Sequence, residues 1–139
     1  MAETARTRSW LYQTLTADPT IAAGIGTRFF NGVAPASTQY PFCVAQLLSG
    51  GNDLMVLGGY RVWADMLWLV KFITKGSSTG PLEPLADRAD QVLHAASGSV
   101  TNGVIWECIR ERPFELPTVE NGVNYVQIGG EYRIKVSVV

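Results

Sequence analysis

The sequence predicts an α+β domain: a mostly antiparallel β-sheet with an N-terminal helix and one long amphipathic helix packed on one face. Three observations carry this. From Tyr60 to Phe72 every even position is apolar, while Arg61, Asp65 and Lys71 fall on odd ones, the two-residue period of a strand. A helix there would scatter the three charges among apolar neighbours. Leu82, Leu85, Ala86, Ala89, Val92, Leu93 and Ala96 make one stripe at helical spacing, with Glu83, Asp87, Arg88, Asp90, Gln91 and His94 opposite. The order helix, strands, helix, strands lacks regular βαβ alternation, which favours antiparallel pairing with the helices on one face. At 139 residues the chain fits one domain, residues 1–139.

Residues 3–16 hold no Gly or Pro and place Ala5, Leu11, Tyr12 and Leu15 near one helical face, leaving Arg6, Arg8 and Gln13 for solvent. Asp18-Pro19 suits an N-cap and first helical position, so a short helical turn follows. Gly24 and Gly26 end it, and Thr27 to Phe30 opens a short strand. Asn31 to Gln39 reads as a loop, and Tyr40 to Leu48 as a strand covered on both faces, with Pro41 tolerable only near its start. Between Gly50 and Gly59 the brief segment Leu54 to Leu57 reads as a flap or arm. After the Tyr60 to Phe72 strand comes the loop Gly76 to Gly80. Pro81 or Pro84 then marks the start of the long helix, which runs to Ala96 with Ser97-Gly98 as its stop. Val104 to Arg112 alternates as a strand, Pro113 to Gly122 reads as a long connection, and Tyr125 to Val138 is the closing β segment. Within it Tyr132, Ile134, Val136 and Val138 face in, while Gly129-Gly130 makes either a tight hairpin or a bulge.

Composition narrows the function. Apolar residues make up 47% and charged ones 17%, short of the roughly 25% charged of an average soluble domain, so some apolar surface is left for partners. Eleven Lys and Arg against twelve Asp and Glu give a net charge of −1, with no basic field for sequence-specific DNA or RNA binding. Cys43 and Cys108 sit in apolar runs without zinc spacing and are expected to be reduced, buried thiols. The polar opening Met1 to Arg8 does not read as a signal peptide, so folding in a cytoplasm is expected. Gly58, Gly59, Arg61, Asp65 and Lys71 argue against a membrane span over Leu54 to Ile73.

No constellation for catalysis emerges. His94 is the single histidine and lies on the polar side of a helix. Gly24-Ile25-Gly26 and Gly76 to Gly80 lack the residues that complete nucleotide-binding loops. The acidic pairs Asp87 with Asp90 and Glu107 with Glu111 fall where amphipathic elements put charge into water. Neither an enzyme nor a cofactor is predicted. Trp68 is expected in the core and Trp63 nearer an interface, since tryptophan is enriched in both places.

Asp18-Pro19-Thr20-Ile21, then Gly24 to Arg28-Phe29, then Ala34-Pro35 and Tyr40-Pro41-Phe42, resemble the first half of tailed-phage tail-terminator, or tail-completion, proteins. The order of later features is similar too, through the Tyr60 to Phe72 strand, the Leu85 to Ala96 helix and two closing strands. The resemblance spans nearly the whole chain, on short, degenerate motifs. It implies a virion protein of the tail or neck, assembled in the bacterial host cytoplasm: a ring, usually of six copies, that caps the tail tube and presents a surface to the head-side connector. Genomic DNA would pass through such a ring without its sequence being read. The apolar Gly50 to Gly59 insertion departs from the pattern.

A closed ring needs two unlike complementary patches on each copy. The charged face of the long strand, with Arg61, Trp63 and Asp65, is expected to supply one. Arg110 and Arg112, ending a strand beside Phe114, are expected at a partner contact. Glu115 and Glu120 in the Pro113 to Gly122 segment are expected to line a pore or dock on the tube, where negative charge would repel DNA phosphates. The competing readings are another neck or tail component, such as a head-closure or tube-associated protein, and a small ligand-binding domain.

Overall fold

The computed structural model describes residues 2–50, 54–55 and 61–137. In chain order these form α1 (Ala2–Thr16), α2 (Pro19–Ile25), β1 (Phe29–Asn31), β2 (Phe42–Gly50), β3 (Leu54–Met55), β4 (Arg61–Lys75), α3 (Glu83–Leu93), β5 (Ala96–Val100), β6 (Gly103–Glu120) and β7 (Val123–Ser137). The sheet runs β1-β2-β4-β7-β6-β5, with β3 added beside β4. β1 pairs parallel to β2 and every other pair is antiparallel.

The α+β expectation of a long helix lying on one face of an antiparallel sheet is overturned. The chain is mostly β, 51% strand against 27% helix, and its mixed sheet curls into a half-barrel with three short helices. Two local misreadings account for much of this. α3 stops at Leu93, because Ala96 and Ser97-Gly98, expected as helix end and stop, belong to strand β5. In the Pro113 to Gly122 connection, Pro113 to Glu120 is the second half of β6, an 18-residue strand, and Asn121-Gly122 is a turn.

Proline usually argues against a strand, and the hairpin geometry shows why it does not here. Asn121 and Gly122 both have positive φ, 50° and 76°, and form a two-residue turn closed by the pair Glu120↔Val123. That closing pair is hydrogen-bonded, so counting back in twos places Pro117 and Pro113 at non-bonded positions against β7. Their missing N–H groups would have pointed out of the sheet. Beyond Cys108, β6 has no neighbour on that side among the described residues. The prolines therefore cost no ladder bond and leave the open edge poor in donors.

Gly129-Gly130 is neither hairpin nor bulge. The β4–β7 register passes through both without a shift, as Lys71↔Gly129 and Val70↔Gly130. The shifts lie on β6 instead, between Ile105 and Glu107 and between Arg110 and Arg112.

The alternation read in β4 holds: Ala64, Met66, Trp68, Val70 and Phe72 are buried on the helix side, with Trp68 fully enclosed. They meet Ile134 and Val136 of β7, and Leu11, Leu15, Ile21, Leu85 and Leu93 of the helices. The sheet curls far enough that both edge strands, β1 and β5, reach α1. The buried face of α1 is rotated from the expected one. Thr4, Thr7, Trp10, Leu11 and Leu15 point in, while Ala5 and Tyr12 are exposed. Thr7 satisfies its hydroxyl by donating to the Glu3 carbonyl, so a short polar residue replaces the apolar one that helical spacing sought.

Asp18 caps α2 by accepting from the Ile21 amide, with Pro19 in the first turn, as the sequence suggests. The same carboxylate holds Arg88 of α3 at 2.8 Å. Arg28 donates to the carbonyls of Gly24 and Pro41, tying the end of α2 to the start of β2.

Candidate functional site

With α1, α2 and α3 on one side, the other face of the sheet carries no helix. Alternation assigns it Trp63, Asp65, Leu67, Leu69, Lys71 and Ile73 from β4, and Tyr125, Gln127, Glu131, Arg133 and Lys135 from β7. From β6 come Glu107, Glu111, Arg112, Phe114 and Glu120. The two β6 shifts decide this membership. Each inserts one extra residue, so Glu111 and Arg112 both fall on the helix-free side, where strict alternation would separate them.

Opposite charges are laddered across these strands. Arg133 donates to Asp65 at 3.1 Å and pairs with Glu111 on its other side. Lys135 lies 3.1 Å from Glu107, and Arg112 3.3 Å from Glu131. The Arg133 hydrogen bonds hold the Glu111 carboxyl below its ordinary range. Aromatic rings interleave with the cations. Lys71 sits over Phe114 at 5.7 Å, Lys75 over Tyr40 at 5.3 Å and Lys135 over Trp63 at 5.6 Å, while Trp63 meets the exposed Trp106 edge-on. Such contacts stabilise by about 0.5–1 kcal/mol each at exposed sites. Burial lowers the Lys71 ammonium's pKa.

The expected residues divide between the two sides. Trp63, Asp65, Arg112, Phe114 and Glu120 share the helix-free face. Arg110 and Glu115 point to the helix side, where Arg110 lies 3.4 Å from Asp90 of α3. Glu120 borders a cleft of about 360 Å³ with Tyr40, Tyr125 and Gln127. Arg61 belongs to β4 opposite Met55, and its side chain lies outside the described residues, as does most of the Gly50 to Gly59 segment. Arg110 and Arg112 do not end a strand, since β6 continues through them. Sequence reasoning put Lys71 on the charged face of β4 but missed Glu111 and Arg133 as partners in this surface. The spacing Glu131, Arg133, Lys135 at alternate positions was the available signal, but its partners on β6 could not be aligned without the bulges.

Little in this arrangement suits bond-making chemistry. Cys43 and Cys108 are buried free thiols whose pKa values burial pushes up, keeping them from the reactive thiolate. His94 uses Nδ1 to accept from the Arg110 amide. Among the described residues no group of three His, Cys, Asp or Glu is placed to hold a metal ion. What the face offers is a patterned surface of alternating charge and aromatic rings. On the same face the exposed apolar side chains Trp106 and Leu116 of β6 add contact area, whereas the exposed Val119 falls on the helix side.

No family model matches the chain, and no curated protein matches it in sequence. Among solved structures, the fold is similar to that of a chain in the virion of a native gene transfer agent particle. The TM-score is 0.72 at 17% identity, over 96% of this chain and 98% of that one. A second solved chain is similar at a TM-score of 0.53 and 11% identity, over 94% and 92%. At these identities the likeness is one of fold, and it runs from end to end of both chains.

Proposed function

We propose that this protein is a structural component of a tailed-phage-type virion, without enzymatic activity, and that it acts as a tail-terminator subunit. In this reading several copies, six in the usual arrangement, close a ring on the tail tube and meet the head-side connector. The observation that carries the reading is the end-to-end likeness to a chain of a gene transfer agent virion. The tail-terminator motifs near the N-terminus point the same way. Arg28 of Gly26-Thr27-Arg28 and Pro41 of Tyr40-Pro41-Phe42 are joined by a hydrogen bond, so the two motifs make one structural unit.

The surface fits such a role. Trp106 is 54% exposed beside the Trp63 ring on the helix-free face, an aromatic pair of a residue type enriched at protein interfaces. A pore role for both acidic residues does not follow from the strand faces. Glu115 and Glu120 fall on opposite sides of the sheet, so Glu120, at the hairpin end, is the one we assign to a lumen or tube contact.

Electron microscopy and solution mass of the purified full chain test the proposal. Rings or short stacked tubes are expected, alone or with the tail-tube protein. A monomer at every concentration, with and without that partner, would refute it. The same fold likeness also suits another neck or tail component. Localisation of the protein in the particle at a position other than the top of the tube would select that reading.

A further inference from the structure

Two hollows on opposite margins of the sheet hold groups of opposite charge that have no ionic partner among the described residues. The first lies between α1 and β1, about 290 Å³, and is lined by Ala5, Arg8, Ser9, Tyr12, Phe29 and Asn31. Arg8 Nε is sealed from solvent there with no acceptor. The other arginine side chains described are each bonded. Arg6 reaches the Ser137 carbonyl, Arg28 two carbonyls, and Arg88, Arg110, Arg112 and Arg133 carboxylates. Arg8 thus stands out among the described arginines as a guanidinium lacking a partner, beside the exposed ring of Tyr12.

The second hollow, about 300 Å³, lies where α3 meets the outer half of β6 and β7. Asp87 and Glu115 line it together with Ile128 and Tyr132. Both carboxylates are exposed and neither has a cationic partner among the described residues, because Arg110 on the same wall is taken by Asp90. The two hollows share no lining residue, and among the described residues Arg8 is bonded to neither carboxylate within one chain.

We propose that the two hollows are the unlike halves of one contact between copies. Arg8 of one copy enters the α3–β6 hollow of the next, where Asp87 and Glu115 accept its guanidinium, and the Tyr12 ring covers the apolar wall beside them. The inference rests on the ring reading and adds which surfaces meet. A closed ring requires a head-to-tail contact between different patches, and placement on opposite margins leaves each copy free to make both contacts at once. Arginine suits the task, because its planar fork bonds two carboxylate oxygens together and it is more weakly hydrated than a lysine.

Charge reversal tests it. Full-length Arg8→Glu, and separately Asp87→Arg with Glu115→Arg at exposed positions, are made, and folding of each is checked by thermal melting, since Arg8 is part-buried. Ring fraction is measured against concentration by sedimentation. Each reversal is expected to weaken assembly by at least about 30-fold, the scale for truncating one side of a paired interface charge. The triple reversal, Arg8→Glu with both arginines, is expected to recover most of that loss. Wild-type rings with variants that assemble equally well, or a triple reversal no better than either parent, would overturn the pairing while leaving the ring reading intact. A wild-type chain that stays monomeric would overturn both.

Discussion

Replacing Gly129 with alanine is the sharpest test of the sheet. A Cβ built there would lie 1.9 Å from the Val70 carbonyl oxygen and 2.7 Å from the Lys71 Cα, both backbone atoms of β4. Non-bonded carbon contacts settle near 3.5 Å, so the strands would have to part by about 1.5 Å at the centre of the β4–β7 ladder. Overpacking of this kind costs about 1–3 kcal/mol. Two ladder hydrogen bonds weakened by the separation add about 1 kcal/mol each. Reduced freedom of the unfolded chain returns about 0.4–1 kcal/mol. The net loss is about 2–4 kcal/mol, which for a chain of this length lowers Tm by about 8–15 °C. Gly130→Ala is the control. Its Cβ would meet the Arg110 Cδ at 3.1 Å and a Tyr132 ring carbon at 3.2 Å, side-chain atoms that can yield, and its cost should stay within about 1 kcal/mol. Urea unfolding followed by tryptophan fluorescence, with all variants at one protein concentration, measures both. A Gly129→Ala protein as stable as its Gly130→Ala counterpart would show that β4 and β7 do not approach as described.

Two further outcomes are expected. Hydrogen bonding from Arg88 outweighs burial and holds the Asp18 carboxyl below its ordinary value of 3.8, so its contribution is present above that value and lost as pH falls through the lowered folded one. Asp18→Asn keeps the cap on α2 but loses the ion pair. It should cost about 0.5–1 kcal/mol near neutrality, given the exposed Arg88 end, and the gap to wild type should close in acid; a gap undiminished well below 3.8 would contradict the pairing. Replacing Pro113 and Pro117 with valine adds two outward N–H donors to the open margin of β6. The domain should remain folded yet form strand-paired aggregates at lower concentration than wild type, seen by light scattering and amyloid-dye binding. Unchanged solubility would indicate that the prolines do not protect this edge.

Charge and apolar spacing within one element were enough to place β4, its inward residues and the cap at Asp18. Those features depend on neighbours a few positions away, and no distant residue has to be known. The α3 stripe was legible for the same reason, through Leu85, Ala89 and Leu93. Its end was not. Ala96 to Val100 carries a weak pattern, Ala-Ser-Gly-Ser-Val, and becomes a strand only because the first part of β6 lies beside it to pair.

The same division runs through the candidate site. From the sequence alone came a chain short of charge, a strongly alternating central strand and short motifs that resemble those of tail-terminator proteins. Tertiary structure alone decided that Pro113 to Glu120 is a strand, since proline's missing donor matters only relative to where the neighbouring strand lies. It also decided that Glu111 and Arg112 share a face while Arg110 and Glu115 take the other. A bulge shifts every later side chain by one position, and it is a property of two strands in register, which neither strand carries in its own residues.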